Sequence, residues 1–330
     1  MRRRRSIVAG IALALVLAAC GTAGVTAPFS ASAVQFSLPE PPTVPVAAPA
    51  FGWTPISTAS NGVAAEHRVS RFPDGNVIQV VRFRAQTTTV HLHIGATDPA
   101  TNLSLLPPGA GSAVSAAERP LYIAAFNGGF KEPAAEGGVL VDGHVVVPLT
   151  SGAASFVIYA DGSIGIGAWG HGVPDPTKKV VSVRQNLQML LTNGVIAANA
   201  GTWTDWGLTL HGVAAPARSA VGVDPSGNLY FAGSMQALPI DLAVALKAAG
   251  ATQAMQMDIN PFWIQLDVAP HPGATPVASV PGQLHWAGQY LEGWSRDFFV
   301  VVSRGGIACT AQVTDGSALN ALRQRCHALT

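Results

Sequence analysis

Glycine-containing turn signals cut this chain into short apolar runs, and that punctuation restricts its fold more than any other feature. Asp74-Gly75, Asp142-Gly143, Asp161-Gly162, Asn193-Gly194 and Ser226-Gly227-Asn228 each lie between apolar or alternating stretches. Such residues supply the positive φ angles that tight hairpin turns require. The stretches between them are β-branched and aromatic, as in Val77-Ile78-Gln79-Val80-Val81-Arg82-Phe83 and in residues 90–94, 155–159 and 298–302. That composition suits a pleated, half-buried surface. Helical spacing is confined to residues 242–249, closed by Gly250, and to residues 317–329. The expected class is α+β: a β-rich mixed sheet with a few flanking helices, forming a single domain over residues 51–330.

The N-terminus reads as an address rather than as fold. Arginines at residues 2–5 precede an apolar run at 7–17 and the sequence Leu17-Ala18-Ala19-Cys20, the three-part layout of an export signal. The run falls short of the roughly 20 residues needed to span a bilayer. Leu-Ala-Ala-Cys resembles the lipobox of bacterial lipoproteins, which implies that residues 1–20 are a signal peptide and that Cys20 carries a diacylglycerol tether. Ala31-Ser32-Ala33 offers a second cleavage site, and cutting there would release a secreted protein. Residues 21–50 hold Pro28, Pro39, Pro41, Pro42, Pro45 and Pro49 among small residues. They cannot build a packed core and read as a semi-extended linker. The expected location is the outer face of a cell membrane, lipid-anchored, or the extracellular space if the second site is used. Cys309 and Cys326 are the remaining cysteines. As an even pair in an oxidising compartment they are expected to form a disulfide; two buried free thiols are the alternative.

Charge and motif content exclude several classes. A net charge of +1 with 11% charged residues provides no basic stripe for nucleic acid. Gly165-Ile166-Gly167-Ala168-Trp169-Gly170 has the letters of a dinucleotide-binding loop. The next residues, His171-Gly172-Val173-Pro174, start no helix whose N–H groups could face a pyrophosphate. No nucleophile elbow, H-E-x-x-H or Walker loop occurs, and no organic cofactor is expected. His91 and His93 share one face of a strand but lack a third ligand nearby in sequence, so no metal site is expected.

Three apolar runs end on residues that can do chemistry, which is where strand-based sites present their groups. The first delivers Asn127 to Gly128-Gly129-Phe130, whose glycines permit a close approach to the backbone. The second opens with Arg218 ahead of Ser219-Ala220-Val221-Gly222-Val223. A guanidinium there needs an anion, and its planar fork suits phosphate or carboxylate; a structural ion pair with Asp224 or Asp258 is the alternative. The third comes after the helix and ends on Asp258, the best acid–base candidate in the chain. Phe262, Trp263, Trp286 and Trp294 read as core aromatics, the alternative being that the pair after Asp258, Phe262-Trp263, forms a platform for a sugar. Trp203 and Trp206, set between Gly201 and Gly207, are better placed to touch a carbohydrate.

In order and spacing these segments resemble the phosphodiester glycosidase family over roughly residues 122–302. Asn127-Gly128-Gly129-Phe130 is similar to that family's Asn-Gly-Gly-Phe motif. Gln188-Met189-Leu190-Leu191-Thr192-Asn193-Gly194 is similar to its segment carrying a glutamine and a turn, and Arg218-Ser219-Ala220-Val221-Gly222-Val223 to its Arg-Thr-Ala-hydrophobic-Gly strand. Of the family's Asp-Gly-Gly-Gly-Ser only Asp258 is kept, before Ile259-Asn260-Pro261. The change removes flexibility and one N–H donor. The resemblance implies an exported hydrolase that cleaves a glycosyl 1-phosphodiester in an envelope or extracellular glycan, a sugar-phosphate or polysaccharide substrate. It implies that Arg218 holds the phosphate, that Asp258 acts as acid, base or nucleophile, and that Asn127 orients an oxygen. Gly128, Gly129, Glu136, Gln188 and Asn260 would contact substrate. A second carboxylate is expected for cleavage at the anomeric carbon, with Glu136 and Asp142 the nearest in sequence to the Asn127 turn. The altered glycine run leaves a second class open, a catalytically degenerate glycan-binding or envelope-structural lipoprotein of the same fold.

Overall fold

Phenylalanines from separate apolar runs converge on one point, and three sheets are arranged around it. The computed structural model describes residues 52–99, 111–131 and 137–304. Cys20, Cys309, Cys326, Glu136, the linker at 21–50 and the helical spacing at 317–329 lie outside the described residues.

The first sheet contains β1 (Thr54–Ala59), β2 (Gly62–Arg71), β3 (Val77–Phe83), β11 (Met189–Thr192), β12 (Val195–Ile196), β13 (Arg218–Val223), β14 (Leu229–Ser234) and β15 (Gln253–Ile259). Its spatial order is β1-β2-β3-β14-β13-β15-β11-β12. The second sheet contains β6 (Val139–Val141), β7 (His144–Val147), β8 (Ala154–Tyr159), β9 (Ile164–Ala168) and β10 (Val180–Gln185), in the order β7-β6-β10-β8-β9. The third contains β4 (Thr88–His93), β5 (Tyr122–Asn127), β16 (Leu266–Val268), β17 (Val277–Ala278) and β18 (Phe298–Ser303), in the order β17-β16-β5-β18-β4. The ladders between neighbouring strands are antiparallel, as in β13–β14, β10–β8 and β18–β5. Among the described residues two α-helices, α1 (Pro239–Ala249) and α2 (Gln289–Glu292), accompany the sheets in an α+β fold dominated by strands.

Turn chemistry sets the hairpins where the glycine pairs lie. Asp142 and Gly143 take φ values of 46° and 80°, and Asn193 and Gly194 take 49° and 77°. This is the paired positive-φ geometry of a two-residue hairpin loop. Helix α1 begins three residues before the periodic pattern, at Pro239, whose missing N–H is no loss in a first turn. Asp241 accepts the Leu238 N–H at 2.9 Å, and Gly250 ends the helix at φ 112°. Residues 165–170 are strand and turn, with no helix at Gly170.

Phe126 of β5 lies 5.2 Å from Phe299 of β18 and 5.4 Å from Phe231 of β14, and Phe299 lies 4.6 Å from Phe156 of β8. Each of the three sheets therefore contributes a ring to a single cluster. A second apolar layer separates α1 from the first sheet, with Leu242, Leu246 and Ala249 packed against Ala220, Tyr230 and Ala232. Phe126 is fully buried in the shared cluster, so Phe126→Ala should lower the unfolding free energy by about 3–5 kcal/mol. Urea denaturation of the variant measures the loss, and a loss under about 1 kcal/mol would show that the rings are not the common core.

Candidate active site

The end of β15 departs from regular pairing, and that departure creates the site. Arg218 of β13 pairs with Ile259 and Ala220 pairs with Gln256, so Met257 and Asp258 together oppose Ser219. Two residues against one is a β-bulge, which re-aims side chains. Gln256 stays with Arg218, accepting its Nη1–H at 3.0 Å. The Asp258 carboxyl instead meets Arg296, Nη2 to Oδ2 2.8 Å, while its Oδ1 accepts the Ile259 N–H at 2.7 Å. The Asp258 amide donates to Ser219 Oγ at 3.2 Å, and Asn127 Nδ2 donates to the same oxygen at 2.9 Å. One serine hydroxyl thus joins the ends of β5 and β15.

Asp258 is 4% exposed, and burial raises its pKa to about 7 against the opposing pull of Arg296. Arg296 also donates from Nη2 to the Gly129 carbonyl at 2.9 Å and from Nε to Asp98 at 3.3 Å, and its guanidinium lies 4.4 Å from the Trp263 ring centre. Beside it, Arg184 at the end of β10 pairs with Asp297 at 2.7 Å and donates to the Phe130 carbonyl at 2.6 Å. Asp297 receives the Gly129 N–H at 3.3 Å. A Cβ on Gly128 would sit 2.0 Å from Asp297 Oδ2, and one on Gly129 would sit 2.9 Å from Arg184 Cζ. These glycines admit the buried ion pair against the backbone.

Residues 121–258 match the family model described as phosphodiester glycosidase. This segment is a phosphodiester glycosidase domain. The family consists of glycosidase-type hydrolases, and it acts on glycosyl phosphodiesters. No curated protein sequence matches the chain. Among solved structures, the catalytic domain of zebrafish N-acetylglucosamine-1-phosphodiester alpha-N-acetylglucosaminidase, auto-inhibited by its pro-peptide, is similar over 77% of this chain and 88% of its own, at 16% identity and a TM-score of 0.47. A hypothetical protein from Synechocystis is similar over 73% of this chain and 62% of its own, at 12% identity and a TM-score of 0.42.

From the matched segment, Asn127, Gly128, Gly129, Ser219 and Asp258 form one hydrogen-bonded cluster with Arg296 and Asp297, which lie beyond it in the chain. Arg218 is fully buried and pairs with neither Asp224 nor Asp258: Nη1 donates to the Trp206 carbonyl at 3.1 Å and to Gln256. Its Nε and Nη2 have no acceptor among the described residues, and burial pushes its pKa down to about 10. Asp224 instead braces its own turn through Ser226, Asn228 and the Tyr230 hydroxyl. Gln188 is half-buried and donates to the Asp205 carbonyl at 3.2 Å. Asn260 adopts φ 81°, a conformation that asparagine tolerates better than most residues, and its Oδ1 accepts the Leu210 N–H at 3.0 Å.

Several expectations change. Asp142 is an exposed hairpin residue, and the carboxylates beside Asp258 are Asp297 and Asp98. Trp206 is fully buried and donates to the Asn199 carbonyl at 2.9 Å, so it presents no face to a sugar. Phe262 and Trp286, read as core, are 50% and 52% exposed. His91 and His93 both contact Glu118 Oε1, at 2.7 and 3.1 Å. Arg184, Arg296 and Asp297 are not among the candidates that residue order marks. Their signal is the same one that marks Asn127, polar residues flanking an apolar run: Val180-Val181-Ser182-Val183 before Arg184, and Arg296-Asp297 before Phe298.

The raised pKa of Asp258 links stability to pH. An unfolded aspartate releases its proton near the ordinary value of 3.8, whereas the folded one holds it to about 7. Folding therefore binds a proton in that window, and stability falls as pH rises through it, by on the order of 4 kcal/mol. Asp258→Asn does not titrate, so wild type should lose stability relative to this variant between pH 4 and about 7 and no further above it. Urea denaturation across pH tests this, and a difference that stays flat would contradict it.

Proposed function

We propose that the protein is an exported hydrolase that cleaves a glycosyl 1-phosphodiester in an envelope or extracellular glycan. The observation that carries the reading is Asp258: a buried carboxyl with a pKa near 7, at a strand-end bulge beside Arg296, at the last residue of the family match. A group poised near ambient pH suits proton transfer. Both Asp258 oxygens already accept hydrogen bonds that favour the ionised form, from Arg296 and from the Ile259 amide, so the role assigned is general base. Asp258 takes a proton from water as its oxygen attacks the anomeric carbon; the bond from that carbon to the phosphate oxygen breaks, and the phosphate monoester leaves.

Arg218 is the proposed phosphate ligand. Its Nε–H and Nη2–H edge lacks acceptors among the described residues, and a phosphate presents two oxygens in matching geometry. Asn127 is the proposed orienting group, held by Ser219 and by the Gln265 N–H. Export rests on the layout of residues 2–20 with Cys20 as the lipid anchor, or on cleavage after Ala33, and the Cys309–Cys326 bridge belongs to the same reading.

The loss of the family's glycines favours one competing reading, a glycan-binding protein without turnover. Pro261 has no N–H to offer, and Asn260 is occupied in holding the Leu208–Leu210 segment. Incubating the full-length protein with glucose, mannose and N-acetylglucosamine 1-(methyl phosphate) diesters separates the two. Release of the sugar is expected, with kcat/KM rising with pH through about 7 and falling about 10²–10⁴-fold in Asp258→Asn. Arg218→Lys keeps the charge without the planar fork and should raise KM. Glycan binding without release from any diester would establish the competing reading.

A further inference from the structure

The geometry points to an aromatic ledge, built from Phe262, Trp263 and Trp286 beside Asp258, that binds further sugar units of a polymeric substrate. This inference rests on the hydrolase reading for its substrate and extends it from a single glycosyl phosphodiester to a chain of sugars.

The ledge grows out of the segment that replaces the family's glycines. Asn260 turns the backbone at φ 81°, its amide donates to the Ala217 carbonyl at 2.8 Å, and its carbonyl accepts the Trp263 N–H at 3.2 Å. Phe262 and Trp263 are thereby set just beyond the carboxylate along the chain. Trp263 carries Arg296 over its ring at 4.4 Å, so it is continuous with the Asp258 cluster, and the Phe262 ring meets it edge-on at 6.4 Å. His285 Nε2 contacts the Phe262 carbonyl at 2.9 Å, which brings the Trp286 segment alongside.

Trp286 is held rather than loose. A Cβ on Gly288 would sit 2.8 Å from the indole, so the ring lies against bare backbone, and Gly288 takes φ 100°. The Gly288 N–H donates to the buried Asp267, and Gln265 Nε2 donates both to Asp267 at 2.6 Å and to the Trp286 carbonyl at 3.3 Å. Anchored in this way, Trp286 still leaves 52% of itself exposed, and Phe262 50%.

A sugar chain fits this surface better than a protein or lipid does. Pyranose rings have an apolar C–H face and a rim of hydroxyls, and the ledge offers aromatic faces next to polar atoms. Beneath the ledge, Gln265 is 1% exposed and ties it to the site, its N–H donating to Asn127 Oδ1 and its Nε2 to the Trp286 carbonyl. The aromatic pair follows directly on Ile259-Asn260-Pro261, at the strand end that carries Asp258.

The test uses full-length protein and three probes: yeast phosphomannan, the same mannan with its glycosyl 1-phosphate bonds cleaved by mild acid to leave phosphate monoesters, and mannose 1-(methyl phosphate). Affinity electrophoresis should show wild type retarded by both polymers. Phe262→Ala/Trp286→Ala should weaken that retention about tenfold, with a thermal midpoint within a few degrees of wild type, and Trp286→Phe should retain it. If the diester and phosphomannan are hydrolysed, the ratio of KM for polymer to KM for methyl diester should rise about tenfold in the double variant. Retention of both polymers without hydrolysis keeps the ledge and removes the hydrolase reading. No retention of wild type by either polymer, equal retention of wild type and double variant, or a change only in self-association in the variant would each overturn the ledge.

Discussion

Two arginine–carboxylate pairs, Arg184–Asp297 and Arg296–Asp258, sit almost entirely out of water where the ends of β10, β15, β5 and β18 come together. Burying charge is costly, and such a pair is stable only when its remaining hydrogen-bonding capacity is met. Here backbone supplies much of it: the carbonyls of Phe130 and Gln185 receive Arg184, and the carbonyl of Gly129 receives Arg296. The three sheets and the turn after Asn127 are held in one relative placement, because displacing any of them would strand a charge in the interior. Arrangement rather than net stability is what these pairs secure.

The properties of Asp258 arise from that placement. It is one of the two β15 residues that oppose Ser219 at the bulge, between the paired Gln256 and Ile259, and its carboxyl meets Arg296. Its pKa rises to about 7 because desolvation outweighs one shared cation, Arg296 being divided among Asp98, Gly129 and Asp258. Arg218, one strand over, shows the opposite arrangement. Among the described residues it is a buried cation with no carboxylate partner, kept by the Trp206 carbonyl and the Gln256 side chain, with Nε and Nη2 unpaired. A carboxyl that is reluctant to ionise and a cation that lacks an anion, on adjacent strands, form the chemical asymmetry of the site.

The run Ile259-Asn260-Pro261-Phe262-Trp263 departs from the glycines of the related motif, and it includes one residue in the left-handed region. Position 260 needs a positive φ, and asparagine meets it while tying down the loop after Trp206. Beyond Pro261 the Phe262 and Trp263 rings meet edge-on.

What residue order alone determined is local. Turn dipeptides with positive φ at Asp142-Gly143 and Asn193-Gly194, the extent of β3, the helix closing at Gly250 and the strand-end positions of Asn127 and Asp258 were all legible, since each depends on nearest neighbours. The tertiary structure alone decided which charges meet. Arg296 and Asp258 are far apart in the chain, and Arg184 finds Asp297 across two sheets, so pairing depends on how the sheets stack. It also decided that Gly128 and Gly129 abut Asp297 and Arg184, that Trp206 is interior while Phe262 and Trp286 reach solvent, and that a single extra residue in β15 sends Asp258 away from Gln256. Alternation along a strand predicts a face only while pairing stays regular; at a bulge the rule fails, and there long-range packing chose where the carboxylate points.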